Sequence, residues 1–218
     1  MTKENFTYIA VVLDRSGSMQ STQDDVIGGF NTFIADQKKV PGKAIFTLAQ
    51  FDDVYELVYD GVDISEVKDL TKETFVPRGS TALLDGIGRT INSVGSKLSA
   101  MEEHERPSKV IMLVITDGAE NASKEHSHAK VKEMVEHQTN KYNWQIIFMG
   151  AGSMDAIAQG QSMGFAASNS YNFRRSKIGT SKLYSNISKS ITDSRTTGSV
   201  VALDAADLMD DTDTSSTQ

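Results

Sequence analysis

Cysteine is missing from all 218 residues of this chain. That excludes a disulfide-stapled scaffold, a thiolate zinc site and a cysteine nucleophile. Long apolar runs are short near the start as well. Residues 9–13 form the longest one there, below the length of a signal-peptide core or a membrane span. Basic charge is in deficit, with 22 Lys+Arg against 29 Asp+Glu and a net charge of −7. A nucleic-acid-binding surface usually carries the opposite balance, so neither a nucleic acid nor a membrane is an expected partner. No Gly-x-x-x-x-Gly-Lys-Ser/Thr segment exists for a P-loop, and no Gly-x-Ser-x-Gly for a serine hydrolase. What is present, 39% hydrophobic residues at a mean hydropathy of −0.32, is ordinary for one globular domain.

The charge is uneven. No Lys or Arg follows Arg195, whereas Asp204, Asp207, Asp210, Asp211 and Asp213 all do. Residues 1–195 are therefore expected to form the domain. Residues 196–218 read as an acidic, disordered tail, with Val200, Val201, Leu203 and Leu208 as an alternative docking segment. Before the tail, Arg174, Arg175, Lys177, Lys182, Lys189 and Arg195 make a locally basic stretch. It reads as a solvated helix face, or as a surface for phosphate or an acidic partner that the tail itself could cover.

Short β-branched runs alternate with segments of helical period. Residues 6–13 read as a strand apolar on both faces. Val26, Ile27, Phe30, Phe33 and Ile34 then mark one stripe of an amphipathic helix. Residues 44–51 and 54–59 read as two strands separated only by Asp52-Asp53, an antiparallel hairpin at the sheet edge. Leu84, Ile87, Ile91, Val94 and Leu98 predict a long helix, and residues 110–115 (VIMLVI) a doubly covered strand. Further elements are expected as a helix through Val131 and Val135, a strand at 144–149, a short helix at 155–163, a weak strand at 165–168 and a helix through Leu183, Ile187 and Ile191. This alternation predicts an α/β fold: a doubly wound, mostly parallel, Rossmann-like sheet of about six strands with helices on both faces.

Open α/β sheets bind ligands beyond the carboxyl ends of their strands. Asp14-Arg15-Ser16-Gly17-Ser18 follows the first strand, and Thr116-Asp117-Gly118 follows the VIMLVI strand. Gly79-Ser80-Thr81-Ala82-Leu83 precedes the second long helix. Asp14, Ser16, Ser18, Thr81 and Asp117 supply two carboxylates and three hydroxyls, with no nitrogen or sulfur. Such hard oxygens suit Mg²⁺, Mn²⁺ or Ca²⁺. The Asp-x-Ser-x-Ser spacing lets alternate side chains of a tight loop converge. Taken singly, each segment is also ordinary turn or helix-cap sequence.

At these residues the chain resembles a von Willebrand factor type A domain carrying a metal-ion-dependent adhesion site. The resemblance spans about residues 6–195, and Ser-Thr-Ala-Leu-Leu-Asp-Gly-Ile-Gly and Thr-Asp-Gly-Ala-Glu-Asn look like stand-alone bacterial and phage members. It implies Mg²⁺, or Mn²⁺, on Ser16, Ser18 and Thr81, with Asp14 and Asp117 bound directly or through water. It also implies that an Asp or Glu of a partner protein completes the coordination shell. The loops around the ion must choose that partner, and they include Arg15, Met19, Arg78, Glu120 and Asn121. Arg15 and Arg78 are expected to favour an acidic ligand.

Other constellations are weaker. Gly150-Ala151-Gly152-Ser153-Met154-Asp155 has Asp155 where a dinucleotide loop needs its third glycine, and reads as a helix-capping turn. His126 and His128 are two apart, so they face different ways on a helix. The function expected is a non-enzymatic, cytoplasmic protein-binding module. A metal-dependent phosphoester hydrolase or transferase is the alternative from another class, and a scaffold with a vestigial site is the third reading.

Overall fold

The computed structural model describes residues 3–151 and 155–210. Six strands form one sheet in the order β3-β2-β1-β4-β5-β6. They are β1 (Lys3–Asp14), β2 (Lys43–Phe51), β3 (Tyr55–Asp63), β4 (Pro107–Thr116), β5 (Gln145–Ala151) and β6 (Ser170–Phe173). All neighbours run parallel except β2 and β3, which pair antiparallel and leave β3 at the edge. The expected hairpin and edge strand are both found.

The central strands are apolar on both faces because both are covered. Ile9, Val11 and Leu13 of β1, with Ile111, Leu113 and Ile115 of β4, pack with α1 (Gln23–Lys39) and α5 (Lys177–Thr197). Tyr8, Ala10 and Val12, with Val110, Met112 and Val114, face α2 (Leu83–Ala100) and α3 (His128–Tyr142). Each fully buried aliphatic side chain contributes about 1.5–3 kcal/mol, so this double cover is the main source of stability. On the first face α1 and α5 approach closely at Gly29. A Cβ there would lie 2.3 Å from the Tyr184 ring. The short α4 (Ala156–Ser162) is capped by Asp155, whose side chain accepts from the Ala158 N–H at 3.0 Å. Residues 152–154 of the glycine-rich segment lie outside the described residues.

Two expectations are corrected. The last strand is not at 165–168 but at Ser170–Phe173. Phe165 instead packs in a turn against Phe148, at 5.4 Å between ring centroids, and the chain reaches the sheet only after a short 3-10 turn. The domain also does not stop at Arg195. Helix α5 runs on to Thr197, and a final short helix, α6 (Ala205–Met209), returns to the sheet. Val201, Leu203 and Leu208 bury themselves in the core beside β6. Residues 211–218 of the expected tail lie outside the described residues.

The basic stretch before the tail divides accordingly. Lys182 pairs with Asp207 and Asp210, each at 3.1 Å. Arg195 is buried and donates to the carbonyls of Gln37, Val40 and Gly42. These two are internal contacts rather than a solvated face. Among the described residues, no helix is long and apolar enough to cross a membrane.

Candidate metal centre

Strand order reverses between β1 and β4, each of which runs in sequence toward opposite sheet edges. A crevice opens beyond the carboxyl ends of two such strands, because their following loops turn to opposite faces. Asp14 ends β1, and Asp117 directly follows β4, so the chain places both carboxylates at this point.

The β1 loop is held tightly. Arg15 N–H donates to the Phe51 carbonyl at 2.8 Å, Gly17 N–H to Gly79 at 3.2 Å, and Arg78 N–H to Arg15 at 2.8 Å. Within it, Asp14 Oδ1 accepts from Ser16 N–H at 2.6 Å and Oδ2 from the Thr116 hydroxyl at 2.5 Å. Ser16 Oγ lies 2.9 Å from Ser18 Oγ, and Ser18 Oγ donates to Asp117 Oδ1 at 2.5 Å. Thr81 is fixed through its backbone, which exchanges hydrogen bonds with Asn121: N–H to Asn121 Oδ1 at 2.9 Å, and C=O from Asn121 N–H at 3.0 Å. Gly118 leaves open the space between the segments. A Cβ at Gly118 would sit 2.8 Å from Thr81 Oγ1 and 3.7 Å from Asp14 Oδ2. The structure thus brings together Asp14, Ser16, Ser18, Thr81 and Asp117, the five residues expected as ligands.

The electrostatics of this cluster are unbalanced. Burial pushes the Asp14 carboxyl up to about 6, and the charge of Asp117 adds to the rise, against the lowering effect of the Thr116 and Ser16 hydrogen bonds. Asp117 Oδ2 is buried and receives no hydrogen bond. Its neighbour is Arg175 Nε, ion-paired at 3.0 Å. Two buried carboxylates, three hydroxyls and a cradle that any side chain at 118 would fill match a divalent cation with oxygen ligands. The residues fit the group.

The five residues expected to meet a partner separate into buried and exposed. Arg15 is 4% exposed and turns away from the cluster, pairing with Asp52 at 3.0 Å and Glu56 at 2.5 Å. Met19 is buried at 2% exposure. Neither offers a partner any surface, which corrects both expectations. Glu120 is half-buried and spends its carboxylate on the loop, accepting from the N–H groups of Leu84, Ala122 and Ser123. Arg78 and Asn121 remain on the exposed rim.

Two features beside the cluster were not visible in its motif. Arg78 Nε reaches Asp52 at 2.8 Å, so Asp52 holds two guanidinium groups together with the Val54 N–H at 2.6 Å. Burial of Asp52 acts to raise its carboxyl, but these partners outweigh it and hold the group below the usual carboxylate range. The second feature is a triad of Asp85, Glu125 and His126 whose polar atoms lie within 4.8 Å of one another. Asp85 accepts there from the N–H groups of Lys124, Glu125 and His126, so it anchors the loop that carries Asn121.

No protein-family model matches the sequence, and no curated protein sequence does. Solved structures do resemble the fold. The vWF domain of the type V pili tip protein Mfa5 from Porphyromonas gingivalis aligns with a TM-score of 0.63 at 10% identity, over 92% of this chain and 99% of that one. Proximal thread matrix protein 1 from the mussel byssus, in a structure described with a zinc-occupied MIDAS motif, gives 0.60 at 17% identity, over 86% and 46%. A von Willebrand factor type A protein from Catenulispora acidiphila gives 0.54 at 14% identity, over 87% and 43%. This chain spans less than half the length of the last two. At such identities the likeness establishes the fold, which is that of von Willebrand factor type A domains.

Proposed function

We propose that this chain is a protein-binding module in which Asp14, Ser16, Ser18, Thr81 and Asp117 hold a divalent cation, Mg²⁺ or Mn²⁺, that accepts an Asp or Glu carboxylate from a partner. The observation that carries this reading is the convergence of the five residues on the space beside Gly118, with two carboxylates buried in it. When bound, the ion would have its charge balanced by the Asp14 and Asp117 carboxylates, while the neutral hydroxyls of Ser16, Ser18 and Thr81 would leave it electrophilic toward an anionic ligand. The mussel structure with a zinc-occupied MIDAS motif supports the reading by analogy of fold.

The chain's own residues do the rest. Thr116 holds Asp14 in place from below, Asn121 fixes the height of Thr81, and Arg78 and Asn121 stand on the rim where a partner would pass. Both Asp14 oxygens are committed to hydrogen bonds and the residue is wholly buried, so it lacks the freedom of a nucleophile. This supports reading the module as a binder rather than as an enzyme that uses Asp14 as its nucleophile.

Titration calorimetry of Mg²⁺ and Mn²⁺ into chelator-treated protein tests the proposal. Saturable one-to-one binding is expected, lost in Asp14→Ala and in Thr81→Ala. Binding that survives both substitutions would remove the ion from this site. Turnover of a generic phosphate ester, dependent on Asp14, would replace the binding role with the hydrolase reading.

A further inference from the structure

Arg175 stands outside the five-residue motif, on the loop between β6 and α5, yet it reaches into the cluster. Its Nε lies 3.0 Å from Asp117 Oδ2. Its Nη2 donates to the Ser18 carbonyl and, at 3.2 Å, to Ser21 Oγ. The Asp117 side chain is only 2% exposed, while that of Arg175 is 36% exposed. Asp117 is thus enclosed, whereas Arg175 reaches solvent and is held in place by Asp117, the Ser18 carbonyl and Ser21.

The backbone on either side of Arg175 is pinned, which directs the side chain. Arg174 N–H donates to the Leu208 carbonyl at 3.2 Å, and Arg174 Nε to Met209 at 2.8 Å. Ser176 caps α5, its hydroxyl accepting from the Gly179 N–H at 3.0 Å. The returning C-terminal segment and the helix cap thus hold the loop from both sides. Between these two anchors, the guanidinium is the part of the loop that faces the cluster.

We propose that Arg175 is the resident counter-cation of the metal site: it neutralises Asp117 when no ion is bound, and it yields that carboxylate when a divalent cation enters. The inference rests on the metal reading above. Asp117 accepts from Ser18 at one oxygen and faces Arg175 with the other, so an ion that uses Asp117 either shares the first with Ser18 or takes the second from Arg175. Charge decides which. With Asp14 and Asp117 as −2 and Arg175 as +1, a divalent ion beside an unmoved guanidinium leaves the site at +1. Departure of the guanidinium leaves it neutral, and like charges within a few ångströms in a partly buried site repel strongly. Arg175 therefore lowers metal affinity and keeps the empty site from carrying two bare carboxylates.

The test is Mn²⁺ and Mg²⁺ titration calorimetry on the full chain after chelation, for the wild type, Arg175→Gln and Arg175→Lys. Arg175→Gln should bind at least ~10-fold more tightly, a difference of about 1.4 kcal/mol. Arg175→Lys, which keeps the charge, should stay within ~3-fold of the wild type on the same scale. A purely structural role would weaken binding on substitution, the opposite direction. Unfolding curves in chelator check that each variant is folded, and Arg175→Met, which keeps the apolar stem, replaces the Gln variant should it not be. Wild-type binding with unchanged or weaker affinity in the charge-removing variants overturns this proposal and leaves the metal site standing. Absence of binding in every variant overturns both.

Discussion

Two buried carboxylates at the same end of the sheet meet opposite fates. Asp52, at the end of β2, is wholly buried and answered by Arg15, Arg78 and the Val54 N–H, and its carboxyl is held below the usual range. Asp14, at the end of β1, is equally buried but faces Asp117 and hydroxyl groups, and its carboxyl is pushed up to about 6. Folding has neutralised the first with two guanidinium groups, that of Arg15 buried and that of Arg78 on the rim. The second is left with negative charge in excess of its partners, which is the condition of a site awaiting a cation. Burial alone does not mark a binding residue; burial without matching charge does.

Replacing Asp52 should have the largest effect. Asp52→Asn leaves two guanidinium groups without their shared carboxylate, and breaking a buried pair costs about 3–5 kcal/mol. The sign with pH follows from the depressed carboxyl. The contribution of Asp52 is complete above the unfolded value near ~3.9 and is lost as pH falls through the lower folded value. Denaturant unfolding should thus show a wide gap between variant and wild type at neutral pH, closing in strong acid. A gap of constant width would break the contrast with Asp14.

Gly118→Ala comes next. Its new Cβ meets Thr81 Oγ1 at 2.8 Å, an overpacking that costs ~1–3 kcal/mol and narrows the space for an ion. Both a lowered unfolding midpoint and weaker Mn²⁺ binding are expected from the one substitution. Asn121→Ala removes the side-chain acceptor of the Thr81 N–H, worth ~0.5–1.5 kcal/mol. It should weaken metal binding without abolishing it, as measured by calorimetry, because Thr81 loses its position and not its hydroxyl.

Asp14→Asn should change metal-free stability least, by under ~1 kcal/mol on the scale of one hydrogen bond. Its amide oxygen still accepts from Ser16 N–H, and its NH₂ can donate to Thr116 Oγ1, which in turn reaches the Gly118 carbonyl at 3.1 Å. The repulsion with Asp117 disappears at the same time. Unfolding in chelator measures this, and a loss comparable to that of Asp52→Asn would contradict the comparison.

The sequence pattern discloses the parts whose chemistry is local. VIMLVI, six residues apolar throughout, reads as a doubly covered strand, and Asp-x-Ser-x-Ser places its oxygens on one side of a tight loop. That same alternation turns Arg15 to the other side, onto Asp52, so its role in partner recognition was excluded by the rule that located the ligands. Met19 is buried in the core cluster that also holds Val26 and Ile115. Arg175 is legible as part of a basic stretch but not as a neighbour of the cluster. With the last strand read at 165–168, residue 175 was a helix-face cation; with β6 at Ser170–Phe173 it sits two residues past a strand end, at the sheet's functional edge. Leu208, by contrast, is legible as part of an apolar docking segment, but the surface it docks on, the gap beside β6, exists only after folding.

The most direct test of the central claim is the Mg²⁺ dependence of unfolding in the wild type, Asp52→Asn and Asp14→Asn. An ion that binds only the folded chain stabilises it by RT ln(1 + [Mg²⁺]/Kd). The account predicts the same increment in the wild type and in Asp52→Asn, despite the latter's lower baseline, and none in Asp14→Asn. No Mg²⁺ increment in the wild type, or one that persists in Asp14→Asn, would contradict it.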